Sequence, residues 1–204
     1  MKNQSSEAER IKNDKLLEDI LSFEGGKLSI TGLGISGKST FRRSLFQYLK
    51  NAGRNVEHYD ADNFKILRHP LDKSCLKEIP EKFGENIIYL IEDVHAPIKD
   101  KAVLPIQDYN KILYINPDFS SYSKFWFQRM FTWYENGNFS WDPNKGWSGT
   151  GKKRDPENIE GIVNAFLKDI KNREKWLEED FNVIKDCPHE IIKSVWTKEG
   201  PVFY

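Results

Sequence analysis

Eight consecutive residues carry the clearest chemistry in the chain. Gly32-Leu33-Gly34-Ile35-Ser36-Gly37-Lys38-Ser39 fits the pattern G-x-x-x-x-G-K-[ST]. Glycines at those positions let the backbone turn so that successive N–H groups converge on phosphate oxygens. A helix that begins at such a turn adds its positive end. Lys38 supplies a mobile cation for the outer phosphates, and the Ser39 hydroxyl supplies a ligand for Mg²⁺. Gly32, Gly34, Ile35, Ser36, Gly37, Lys38, Ser39 and Thr40 are therefore the candidate triphosphate-binding residues.

Acidic groups are the next requirement. The stretch His58-Tyr59-Asp60-Ala61-Asp62-Asn63-Phe64-Lys65 lies at the end of the second expected strand, where a strand exit would place Asp60 and Asp62 near the phosphates. A carboxylate there can take a hydroxyl proton, orient an acceptor or reach a metal through water, with Asp62 preferred over Asp60. Ile87-Ile88-Tyr89-Leu90-Ile91 ends in Glu92-Asp93, an apolar strand closing on an acid, and either carboxylate suits a metal-linked role. Phe64, Lys65 and His95 are candidate acceptor contacts. Transfer of a phosphoryl group also needs positive charge over the phosphates. Arg129 leads, with Lys152, Lys153 and Arg154 as rivals, whereas Arg42 and Arg43 are expected on the outer face of their helix.

These residues need a frame that holds them at one end of a sheet. Apolar spacing predicts an N-terminal helix over residues 5–23, a strand at Lys27 to Thr31, and a helix at Ser39 to Asn51. Further strands are expected at Asn55 to Tyr59, Asn86 to Ile91 and Tyr109 to Ile115. An aromatic-rich helix follows at Phe119 to Tyr134, and a Gly-rich loop or lid at Asn136 to Pro156. A long helix at Asn158 to Glu179 precedes final strands at Phe181 to Lys185 and Ile191 to Trp196. Strands that alternate with helices imply one α/β domain, residues 1–204, around a parallel sheet. The aromatics between Phe125 and Trp147 serve helix packing, and those in the loop offer a stacking surface for a base or other flat group.

Composition bounds the rest. The 204 residues hold 31 basic and 31 acidic side chains, and a zero balance argues against a nucleic-acid binder. Cys75 and Cys187 stand alone, in no metal-type spacing, so a reducing cytoplasm is the simplest compartment. No run of about 18 apolar residues exists to span a membrane. A GTP-dependent switch is disfavoured: no N-K-x-D guanine motif appears, and Asn116-Pro117-Asp118 is not one.

The loop with Lys38-Ser39-Thr40, then Asp62-Asn63-Phe64-Lys65, the strand ending in Glu92, and Asp108-Tyr109-Asn110-Lys111-Ile112-Leu113-Tyr114-Ile115 together resemble the uridine kinase and phosphoribulokinase-like branch of P-loop kinases. Asp60-Ala61-Asp62-Asn63 is also similar to the neighbouring adenylylsulfate kinase pattern. The resemblance covers roughly residues 20 to 135. It implies a three-layer P-loop NTPase fold with a mostly parallel five-stranded sheet, helices on both faces and a small lid over 119–156. It implies that Ser39 ligates Mg²⁺, that Asp62 is the base or metal-linked acid and that Glu92 is the second acid; with Lys38 and Arg129, read from the residues themselves, Asp62 completes the expected catalytic set. Family members usually carry Glu-Gly where this chain has Glu92-Asp93, and several arginines where Arg129 is nearly alone. The expected activity is transfer of the γ-phosphoryl group of ATP, with GTP as the alternative, to a hydroxyl of a nucleoside-like or other small metabolite by a monomer or homodimer. An ATPase or regulatory module, and a nucleic-acid end kinase, are the alternative readings.

Overall fold

A computed structural model describes residues 9–60, 83–93, 104–136, 140–142, 146–148 and 157–204, with the main chain alone at 60, 140–142, 146–148, 157 and 158. Asp62, Phe64, Lys65, His95 and the Lys152 to Arg154 cluster lie outside the described residues.

The described elements are, in chain order, α1 (Asp14–Leu21), β1 (Gly26–Thr31), α2 (Lys38–Asn51), β2 (Val56–Asp60) and β3 (Ile88–Glu92). A short 3₁₀ turn (Ile106–Asp108) leads to β4 (Lys111–Pro117), α3 (Phe119–Glu135), β5 (Ser140–Asp142) and β6 (Gly146–Ser148). The long helix α4 (Glu157–Ile184) and strands β7 (His189–Thr197) and β8 (Gly200–Phe203) follow. The main sheet runs β2-β3-β1-β4-β7-β8. Five strands are parallel, and β8 returns antiparallel to β7. The chain is thus an α/β protein built on a mostly parallel sheet of six strands.

Three expectations are corrected. The sheet has six strands rather than five, because Gly200, at φ +111°, turns the chain back to form β8. Phe181 to Lys185 is not a strand: α4 continues to Ile184, and Leu177, Phe181 and Ile184 recur at helical spacing to pack on the sheet. The N-terminal helix does not span 5–23. Its described part starts at Asp14, where the Asn13 side chain caps it by accepting from Leu16 N–H at 3.0 Å. Residues 10–12 instead bond to Phe203 in β8, which covers that edge of the sheet.

Alternation along the strands sends side chains to two different layers. Leu28, Ile30, Leu90, Leu113 and Ile115 face α1 and α2, where they pack on Leu16, Phe41, Leu45 and Leu49. Tyr89, Ile91, Ile112 and Tyr114 face the other way, toward Tyr109 and the end of α4. A third cluster joins α3 to α4 through Tyr122, Trp126, Met130, Ile162 and Ala165, and Leu33 of the glycine-rich turn reaches into it. Strands β3 and β4 are buried almost throughout, as their continuous apolar runs require. Within the expected loop or lid, β5 and β6 pair antiparallel with Trp141 and Trp147 in register, and their main chain runs beside α4.

Candidate phosphate-binding site

The glycine-rich turn leaves the C-terminal end of β1, the strand flanked by β3 on one side and β4 on the other. From β1 the chain passes through α2 to the β2–β3 side, and later returns to β4 on the opposite side. That reversal opens the crevice in which α/β sheets bind ligands. Two glycines are held there by geometry. Gly32 has φ +136°, and a Cβ on it would stand 2.4 Å from the Ile115 carbonyl oxygen. Gly37 has φ +95°, and a Cβ would stand 3.0 Å from Phe125 Cζ. Gly34 differs: a Cβ there meets nothing within 4 Å.

Ile35 adopts φ +62°. That conformation costs a β-branched side chain about 1–3 kcal/mol, and strain of this kind concentrates where backbone groups must converge. Among the described residues, no main-chain carbonyl accepts from the amides of Gly34 to Gly37. Helix α2 begins one residue later, at Lys38. The turn is therefore a nest of N–H groups at a helix N-terminus, with the electrostatics of an anion site.

Lys38 belongs to this nest. Its ammonium donates to the carbonyl oxygens of Leu33 at 2.6 Å and Gly32 at 3.1 Å, and lies 3.5 Å from Ser36 Oγ. The turn is tied down from behind by Ser194 Oγ, which donates to the Ser36 carbonyl at 3.4 Å. Phe125 and Trp196 meet edge to face, with ring centroids 4.5 Å apart, and Phe125 abuts Gly37.

Beside the turn, the Ser39 hydroxyl donates to Glu92 Oε1 at 2.6 Å. The choice between the two acids of β3 is made by alternation: Glu92 faces α2, and Asp93, fully buried, turns to the opposite layer beside Tyr109. Arg42 is a correction. It is not on the outer face of α2; it is 9% exposed, and its Nε pairs with Glu92 Oε2 at 2.9 Å. Its Nη1 lies 3.3 Å from His58 Nδ1, which must accept because a guanidinium has only donors. His58 in turn stacks on Phe46. The signal for Arg42 was its helical spacing, three residues after Ser39 and four after Lys38, which puts all three on one side of α2. Arg43 is exposed, as expected.

Of the other candidates, Asp60 ends β2 in register with Glu92, so its main chain lies at the same sheet edge. Arg129 is exposed on α3, with its guanidinium 4.8 Å from the centre of the Trp133 ring. The α3 aromatics divide: Trp126 is fully buried and donates to Asp169 Oδ2 at 2.8 Å, whereas Phe119 and Phe131 are exposed. Asp118 of the Asn-Pro-Asp sequence caps α3 by accepting from Ser121 N–H at 2.7 Å.

The donor set suits a hard cation. The Ser39 hydroxyl and Glu92 carboxylate are adjacent oxygen donors, and among the described residues no group of three or more His, Cys, Asp or Glu could enclose a metal. Mg²⁺ characteristically takes one or two protein oxygens and completes its shell with phosphates and water. Among the described residues, no helix is long and apolar enough to cross a membrane. No protein-family model matches the chain, and no curated protein matches it in sequence.

Proposed function

We propose that this protein has the P-loop NTPase fold and is an ATP-dependent small-molecule kinase, transferring the γ-phosphoryl group to a hydroxyl of a nucleoside-like or other small metabolite. The observation that carries this reading is the strained turn from Gly32 to Gly37, closed around the Lys38 ammonium at the start of α2, with Ser39 bonded to the strand acid Glu92. A conformation that forces Ile35 into the left-handed region and, among the described residues, leaves four amides without main-chain partners suits anion binding by backbone.

In this reading the amides of Gly34 to Gly37 bind phosphate oxygens, and Lys38 leaves the loop carbonyls to follow the negative charge outward. The Ser39 hydroxyl donates its hydrogen bond to Glu92, which would leave its lone pairs free for a metal. Bound Mg²⁺ supplies charge neutralisation on the outer phosphates. The acceptor oxygen forms the new bond to the γ-phosphorus as the bond to the bridging oxygen breaks. The hydroxyl proton passes to a carboxylate, assigned to Asp62, and ADP leaves. Asp60, Phe64, Lys65 and His95 are assigned to the acceptor side, and Arg129 to charge stabilisation.

The test is a phosphoryl-transfer screen of Mg·ATP against pooled hydroxyl metabolites, with GTP in parallel. Wild type should consume ATP only with an acceptor present, and Asp62→Asn should abolish that turnover. Transfer that survives Asp62→Asn unchanged removes the base assignment. Nucleotide binding with no transfer to any acceptor supports the regulatory-module alternative. Lys38→Ala should weaken ATP binding roughly 10- to 100-fold, the value of one or two charged hydrogen bonds. Wild-type affinity in that variant overturns the site itself.

A further inference from the structure

We propose that a cavity on the α4 face of the sheet, bounded by β4, β7 and α4, is a binding site for a small organic carboxylate with an apolar body. The cavity measures about 380 Å³. That is near the lower end of what small-molecule sites occupy, so it suits a ring-sized metabolite rather than a nucleotide. Its floor is the sheet: Asn116 of β4 and Lys193 of β7 are cross-strand partners, and Ile191, two residues earlier, lies on the same face. Arg173 and Leu177, one turn apart on α4, line the side, and the link from Pro117 to Phe119 closes the end. Among the described residues, none from the glycine-rich turn lines it.

Arg173 is the anchor. Its Nη2 donates to the Pro117 carbonyl at 2.6 Å and lies 3.4 Å from Asn116 Oδ1, and its guanidinium stands 5.5 Å from the centre of the Tyr122 ring. All three partners are neutral. Arg173 Nε is buried and has no hydrogen-bond partner among the described residues. A charged donor cut off from water and left unbonded is costly, and an acceptor entering the cavity would offset that cost. Lys193 is exposed on the neighbouring strand, and among the described residues neither cation is paired with a carboxylate. Asp118 is the acid of the lining, and its carboxylate caps α3 by accepting from Ser121 N–H at 2.7 Å. Two cations and one carboxylate leave a single positive charge, which a monocarboxylate balances. A planar guanidinium matches a planar carboxylate. Leu177, with Ile191 and Phe119, both exposed, supplies apolar surface for the rest of the ligand.

The experiment is a fluorine NMR titration of para-fluorobenzoate with the full chain. Wild type should bind it with a Kd of ~1 mM or tighter, as expected for a ligand of about ten heavy atoms. Arg173→Gln and Lys193→Gln should each weaken binding roughly tenfold, the value of one hydrogen bond to a charged group. Ile191→Glu, which sets a tethered carboxylate beside Lys193, should abolish it. Para-fluorobenzyl alcohol, the uncharged counterpart, should bind roughly tenfold more weakly than the acid. If Arg173→Gln does not fold, Lys193→Gln and Ile191→Glu, both at exposed positions, decide the question. No binding by wild type at millimolar concentration overturns the proposal, as does unchanged affinity in folded Lys193→Gln and Ile191→Glu. Equal binding of the alcohol removes the role of charge. Inorganic phosphate that competes as well as unlabelled benzoate overturns the choice of a carboxylate. Displacement by ATP would place the probe at the glycine-rich turn and overturn the separate site.

Discussion

The two faces of the sheet handle buried polar groups in opposite ways. On the α2 face, charges are matched by charges: Glu92 has Arg42 and Ser39, and Arg42 has His58. On the α4 face, the buried polar groups are mostly tyrosines, whose hydroxyls stay neutral. Tyr114 donates to Asp180 Oδ2 at 2.6 Å, and burial together with that carboxylate drives its ionisation well above the usual phenol value. Tyr109 is pushed the same way by burial and by Asp93. The Ser29 and Thr31 hydroxyls, which alternation turns to this face, find no hydrogen-bond partner among the described residues. One face is thus organised to hold ionic charge in a fixed geometry beside a helix N-terminus. The other supports the sheet with amphipathic rings.

The sharpest way to break this comparison is Glu92→Ala. It strands a mostly buried Arg42, and unfolding in urea should show a loss of about 3–5 kcal/mol. Gly32→Ala comes next: its Cβ would press on the Ile115 carbonyl at a positive φ, so a loss of about 2–4 kcal/mol is expected, with ATP binding lost as well. On the opposite face, Tyr114→Phe removes one hydrogen bond to a carboxylate and should cost about 1–2 kcal/mol in the same assay, with ATP affinity unchanged.

A smaller effect should reverse sign. Burial raises the Asp180 carboxyl above its usual 3.8, more than the Tyr114 hydrogen bond and the Lys38 charge lower it. The folded state then holds the proton more tightly than the unfolded chain. Stability attached to that proton is present below pH 3.8 and is lost as pH rises through the folded value. Asp180→Asn, which still offers Tyr114 an acceptor, should therefore raise thermal stability at pH 7 and leave it unchanged near pH 3. A carboxamide that destabilises at pH 7 would show that Asp180 is held by its charge, as Glu92 is. The smallest effect belongs to Gly34→Ala, where an added methyl meets open space; stability should change by less than about 0.5 kcal/mol. Both ATP affinity and stability in that variant distinguish a spacing glycine from the two that geometry demands.

Much of the frame was legible in the chain. The period of two in β1, the unbroken apolar runs of β3 and β4, and the helical spacing of Phe41, Leu45 and Leu49 are local signals, and each became the element its period implies. The turn at Gly32 to Gly37 was legible for the same reason: only glycine takes φ +136° or +95° at little cost, so those residue types announce the conformation. Misreadings came where a short run fits two periods. Phe181 to Ile184 looks like a strand in isolation, and the preceding turns of α4 carry it on as helix.

What the amino-acid order determined by itself was therefore the sheet-and-helix alternation and the glycine-dependent turn that leads into α2. Which of Glu92 and Asp93 meets Ser39, and that Arg42 faces inward to close on Glu92, were decided by tertiary structure. Alternation gives two acids opposite directions, but only the packing of α2 across β3 says which direction holds the serine. The partners are 53 residues apart in the chain, and no local rule reaches that far.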